Sequence, residues 1–184
     1  MTAPAAPPSP ARGEGKAVPM TAPTLRPYLP ADAGRLARLF ETSIMLLAAE
    51  DYDEEQRAAW AAPGADPKAF AARLAGALTL VAEIDGAIAG FASLKDNTHV
   101  DMLFTHPAFA RRGVAAALLD ALEKLARARG AEKLTGDVSD TAQPLFEKRG
   151  FTATRRNSFQ RHGVWLANTT MEKPLSAPAN ATRH

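Results

Sequence analysis

The amino-acid sequence predicts an α/β domain built on a single mixed sheet of six to seven strands. Three observations lead there: an Asp85-Gly86 turn between two apolar runs, a third run within four residues of the second, and an amphipathic helix set between that third run and a fourth. The turn and the short link predict antiparallel neighbours in the N-terminal part of the sheet. The inserted helix predicts a right-handed crossover joining two parallel strands at its centre.

Taken in order, residues 1–23 are dominated by Ala, Pro, Gly and Ser and predict a disordered tail. Met1-Thr-Ala-Pro recurs as Met20-Thr-Ala-Pro, which leaves open a natural start at Met20 or a functional tail. Thr24 to Leu29 reads as a strand that Pro27 confines to a sheet edge. Asp32 is the expected cap of a helix whose Leu36, Leu39, Phe40, Ile44 and Leu47 share a face. Helices are also expected from Asp53 to Ala61 and from Pro67 to Gly76, the latter with Pro67 in its first turn. Strands follow at Leu78 to Ile84, Ala87 to Leu94 and Thr98 to Thr105. The helix from Arg112 to Arg129 shows Val114, Leu118, Leu122 and Leu125 on one side, with Gly130 ending it. Lys133 to Val138 is a strand and Thr141 to Arg149 a short helix closed by Gly150. Phe151 to Phe159 and Val164 to Glu172 form a last hairpin around Arg161-His162-Gly163. The folded domain is expected over 24–174, with a flexible C-terminal tail over 175–184.

Composition narrows the function. The 184 residues include 46% hydrophobic side chains, no cysteine and a net charge of only +2. Disulfides, a thiolate nucleophile and cysteine metal sites are therefore excluded. The charge is too small for a dedicated nucleic-acid binder although the pI is about 9.1. No apolar run approaches the roughly 20 residues that span a bilayer, and the N-terminus lacks the apolar core of a secretory signal. The expected setting is cytoplasmic, without nucleic-acid or membrane partners, as a monomer or homodimer.

The most informative segment runs from His99 to Leu119: a strand, a tight basic loop and the first turns of a helix. Gly113 lets a ligand approach the backbone. The unpaired N–H groups of the helix's first turn and the guanidinium groups of Arg111 and Arg112 all favour an anion, and Ala115, Ala116 and Ala117 keep the helix surface low. The pattern is a phosphate cradle.

Within it, Ala110-Arg111-Arg112-Gly113-Val114-Ala115 resembles the acyl-CoA motif of the GNAT family of N-acyltransferases, which reads Arg or Gln, any two residues, Gly, any residue, then Gly or Ala. Ala110 departs from the leading Arg or Gln, which removes one phosphate contact; the adjacent arginines are the candidates to replace it. The order of elements over residues 24–174 matches the same fold, which implies helices on both sheet faces. Asp51-Tyr52, Gln56, Trp60, Gly163 to Asn168 and Met171 to Leu175 are similar more narrowly to a YafP-like subfamily.

The resemblance implies direct transfer of an acetyl group from acetyl-CoA, as co-substrate, to an amine of a small molecule, peptide or protein, with no covalent enzyme intermediate and no metal. The implied cofactor contacts are the backbone of Leu103, Phe104 and Thr105 along the pantetheine arm, and Arg111, Arg112, Gly113, Val114, Ala115 and Ala116 at the diphosphate. Ser139, Ala142 and Phe146 lie near the pantetheine and thiol end. Ser139 stands where relatives often have Asn, and Phe146 where many have a Tyr that protonates the departing thiolate. Phe has no proton to give.

Strict alternation puts His99, Asp101, Leu103 and Thr105 on one strand face. His99 falls where many relatives carry a catalytic Glu, and a histidine titrates near pH 6.5, where a general base works well. His99 and Asp101 are thus the candidate catalytic pair; the alternative is a hydrogen-bonded strand histidine oriented by Asp101. Tyr52, Trp60 and Trp165 are candidates for an aromatic acceptor wall, with core packing as the alternative for Trp60. Arg155, Arg156 and Arg161 are either carboxylate readers or solvated. His99, His106 and His162 have no metal-site spacing. The competing function is a non-catalytic acyl-CoA-binding sensor or regulatory module.

Overall fold

The computed structural model describes residues 21–175. The expected N-terminal tail up to residue 20, the alternative start at Met20 and the tail beyond Leu175 lie outside the described residues. One sheet of seven strands runs through the domain in the order β1-β2-β3-β4-β5-β7-β6.

The first strand, β1 (Thr24–Pro27), sits at the sheet edge, where a proline costs no ladder hydrogen bond. β2 (Leu78–Ile84) and β3 (Ala87–Lys95) close on Asp85 and Gly86, whose positive φ angles of 51° and 79° suit a tight hairpin turn. β4 (His99–Thr105) adds antiparallel to β3 and lies parallel to β5 (Lys133–Val138). β7 (Val164–Pro174) pairs antiparallel with β5, and β6 (Thr152–Arg161) completes the hairpin around His162 and Gly163.

Helices cover both faces. α1 (Ala33–Leu47) and α3 (Pro67–Ala75) bury Leu36, Leu39, Phe40, Ile44, Phe70 and Leu74 against Val81, Phe91 and Met102. Between them lies α2 (Glu54–Ala61), capped by Asp53, whose side chain accepts from the Gln56 amide at 2.8 Å. The opposite face carries α4 (Val114–Ala128), which packs Val114, Leu118, Leu119 and Leu122 on Ala92, Leu94 and Leu134. The short α5 (Gln143–Lys148) adds Phe146 to that side. Leu175 is also buried there, its amide donating to the Glu132 carbonyl at 2.7 Å.

Asp32 departs from its expected duty. It precedes α1 but caps no helix amide. Its carboxylate is buried and held by Arg26 at 2.8 and 3.0 Å, by Arg35 at 2.9 Å and by the Leu29 amide at 2.9 Å. Two arginines converging on one buried oxygen pair outcompete a helix N–H.

Candidate active site

The central parallel pair stays together only briefly. β4 and β5 pair at His99 with Thr135 and at Val100 with Gly136, and no further. Beyond Val100 the strands part, leaving the β5-facing edge of β4 without a strand partner. The gap opens into a cavity of about 470 Å³. Its walls include Leu103, Phe104 and Thr105 from β4, Ala115 from α4, and Ser139, Ala142 and Phe146 from the β5–α5 side.

Why the strands part is written into β4. Ser93 faces Met102 while Leu94 faces Val100, so Asp101 is an extra residue bulged out of the ladder. A bulge bends its strand and reverses the alternation beyond it. Leu103 therefore packs with the α4 side, whereas Asp101 reaches Arg73 on α3. The single face expected for His99, Asp101, Leu103 and Thr105 ends at this bulge.

Further along, the β4–α4 loop turns through Arg111 and Gly113, both at positive φ, 61° and 77°. A side chain at Gly113 is strained by that backbone, although the space beside it is open. The first α4 amide with an acceptor in the helix is that of Ala117, bonded to the Gly113 carbonyl at 2.9 Å. The amides of Val114, Ala115 and Ala116 are thereby left for a ligand. Arg112 lies over the Phe109 ring at 5.3 Å from its centroid, and Arg111 is exposed. Among the described residues neither pairs with a carboxylate. The helix start sits tight on the sheet because Gly90 has no side chain: a Cβ there would lie 2.7 Å from the Phe104 carbonyl oxygen and from Val114 Cγ1.

His99 and Asp101 both line the cavity but are not bonded to each other. His99 Nδ1 meets Thr135 Oγ1 at 2.9 Å, and that hydroxyl donates to the Thr98 carbonyl at 3.4 Å. A hydroxyl that has donated elsewhere can only accept, so Nδ1 carries the proton and Nε2 the free lone pair. Thr135, not Asp101, orients the imidazole. Asp101 is gripped by Arg73, Nε at 2.8 Å and Nη2 at 2.9 Å. Burial opposes its charge, but the Arg73 guanidinium, helped by the charge of Lys95, holds its carboxyl below the usual range.

The other end of the cavity is aromatic. Tyr52 is buried, and its hydroxyl accepts from the Asp140 amide at 2.9 Å and donates to the Ala167 carbonyl at 3.4 Å. Burial raises its pKa, so it remains a phenol. Trp60 stands edge-on to Tyr52 and to Phe159 with centroids 6.0 and 5.6 Å apart. Trp165 is 61% exposed and lies outside the cavity. Its neighbour Leu166 is buried opposite Phe159 on the adjoining strand, and alternation turns Trp165 the other way. Phe159, Arg161 and Asn168 line the wall in its place. Sequence reasoning passed over Phe159, although its spacing from Arg161 was a signal that the two share a face. Phe146 is buried edge-on to Phe151, with centroids 4.9 Å apart. No cluster of three His, Cys, Asp or Glu side chains fit to hold a metal occurs among the described residues, and no described helix is long and apolar enough to cross a membrane.

A family model described as the acetyltransferase (GNAT) domain matches residues 48–175. The chain belongs to the GNAT acetyltransferase family. It is 35% identical over 147 residues to the N-acetyltransferase YafP of Escherichia coli (strain K12), itself described as uncharacterized, with 80% of this chain and 93% of the relative covered. A crystal structure of a GCN5-related N-acetyltransferase from Rhodopseudomonas palustris is 54% identical and superposes with a TM-score of 0.83, covering 86% of this chain and 99% of that one. The PaiA N-acetyltransferase of Thermoplasma acidophilum, solved in complex with coenzyme A, shares the fold at 19% identity with a TM-score of 0.70, covering 84% and 100%.

Proposed function

We propose that this protein transfers an acetyl group from acetyl-CoA directly to an amine. The observation that carries the reading is the open seam between β4 and β5, whose unpaired strand edge leads to the free amides of α4. An extended amide-bearing arm fits such an edge as an added strand does, and a diphosphate fits helix amides flanked by arginines. Arg111, Arg112 and the amides of residues 113–116 hold the diphosphate. The backbone of Leu103 to Thr105 aligns the pantetheine arm and offers an N–H to the thioester oxygen as charge develops there. Ser139, Ala142 and Phe146 flank the thiol end.

His99 Nε2 takes the proton from the amine as its nitrogen bonds to the thioester carbon and the carbon–sulfur bond breaks. The departing thiolate is a tolerable leaving group, with a reference thiol pKa of about 8.5, and water protonates it where Phe146 has nothing to donate. Asp101, kept ionised by Arg73, borders the same wall.

Thiol release from acetyl-CoA across an amine panel tests the reading. Acetyl-CoA at 100 times Kd should stabilise the wild type by about 2.7 kcal/mol. Gly113→Glu should abolish that stabilisation, as should Arg111→Glu with Arg112→Glu, which leaves the Gly113 backbone unstrained. His99→Ala should retain binding but lower kcat about 100-fold. Binding without thiol release by the wild type would point to an acyl-CoA-binding module; no binding at all would overturn both.

A further inference from the structure

Among the described residues, Arg161 is the one cavity-lining arginine whose charge no carboxylate meets. The other, Arg73, is spent on Asp101. Arg155 bonds Asn157, and Arg156 is paired with Asp140. Arg161, by contrast, has a single protein hydrogen bond among the described residues, from Nη1 to the Ala59 carbonyl at 3.3 Å. Its guanidinium sits beside the edge-to-face pair of Trp60 and Phe159, 5.6 Å from the Trp60 centroid and 5.7 Å from that of Phe159. The rings shield the side of the cation that they cover and leave its remaining N–H donors for a partner. Burial, with the nearby charge of Arg73, works against its cation. A cation in such a place gains from an anion that the described residues do not provide.

The surroundings define what that anion is attached to. Trp60, Phe159 and Tyr52 form an apolar, ring-lined wall, and the Trp60 indole nitrogen is a buried donor without an acceptor among the described residues. Of the acidic groups on the cavity wall, Asp101 is taken by Arg73, while Asp137 accepts from Thr170 Oγ1 at 2.6 Å and pairs with no arginine among the described residues. The wall thus offers a planar cationic fork on an aromatic shelf and, elsewhere, a carboxylate held by a hydroxyl and suited to an ammonium group.

We infer that the acceptor is an amine that also bears a carboxylate on an apolar body, and that Arg161 receives this carboxylate beside Trp60 and Phe159. The inference rests on the acetyl transfer proposed above, since it names the acceptor of that reaction. Arg161 is then a specificity-determining residue: its fork matches the two carboxylate oxygens, and a neutral amide in the same position leaves a desolvated cation unmatched.

Two measurements separate this inference from the reading beneath it. The first needs no turnover: phenylacetate, 3-phenylpropionate and 4-phenylbutyrate, each beside its neutral amide, are titrated into the CoA-saturated protein by calorimetry. At least one carboxylate should bind roughly ten- to a hundredfold more tightly than its amide, the range a hydrogen-bonded charge pair supplies. Arg161→Gln should erase that preference and Arg161→Lys restore part of it, while stabilisation by acetyl-CoA reports that each variant is folded. The second compares kcat and KM for amino carboxylates and their amides. The wild type should favour the acids, and Arg161→Gln should lose the preference through KM. Equal binding of acids and amides by the wild type, or an undiminished preference in Arg161→Gln, overturns the inference. Carboxylate binding that depends on Arg161 without acetylation of any amine sustains the anion site and overturns the transfer reaction instead.

Discussion

At the scale of single residues, Asp32 shows how a carboxylate placed as a helix cap becomes a clamp. The Arg26 guanidinium, aided by the Leu29 amide and Arg35, holds its carboxyl at about 2 against an ordinary 3.8. The folded state therefore favours the charged form, and the unfolded chain takes up the proton first as pH falls. The contribution is complete above about pH 4 and disappears as pH drops through the folded value near 2. A depression of nearly two units corresponds to about 2 kcal/mol. Asp32→Asn should lower the urea midpoint at neutral pH, and the gap from the wild type should close between pH 4 and pH 2. A gap independent of pH over that window would mean that packing, and not charge, gives Asp32 its value. Arg26 also bonds Glu83 at 2.8 Å, so the same residue ties β1 to β2 as well as to the turn that leads into α1.

At the scale of elements, α4 and its approach were legible because every determinant is local. Gly113 at positive φ, the apolar face from Val114 to Leu122 and the terminating Gly130 all act within a few residues of one another. The bulge at Asp101 was not legible, because it is a mismatch of register between β3 and β4 and neither strand carries it alone. The partners of His99 and Asp101 followed from that bulge and were hidden with it. Gly90 is a similar case: its sequence neighbours give no hint that α4 begins directly above it. Gly90→Ala should cost about 1–3 kcal/mol, as forced overpacking does, read as a lower melting temperature. Because Val114 Cγ1 is one of the two atoms in the way, adding Val114→Ala should recover part of the loss. The same double change should weaken acetyl-CoA binding less than Gly90→Ala alone, since it lets α4 settle back toward the sheet.

For the whole molecule, the antiparallel run β2 to β4 and the parallel pair of β4 and β5 were readable from turn chemistry and one crossover, whereas the docking of β7 on β5 and the aromatic wall were not. Tyr52 and Trp60 come from the first third of the chain and Phe159 and Arg161 from near its end, so their meeting depends on how the last hairpin swings back over α2. That swing completes a frame around the seam. One end is fixed by the two paired positions of β4 and β5. Across the opening, the Tyr52 hydroxyl reaches from the α1–α2 connection to Asp140 and Ala167 on the far side. The sheet is thus two half-sheets held like covers at a spine and a clasp. Whatever lies along the inner margins does the work of the missing pages: it couples the cooperative opening of one half to that of the other, so that occupancy of the seam sets how nearly the two behave as a single unit.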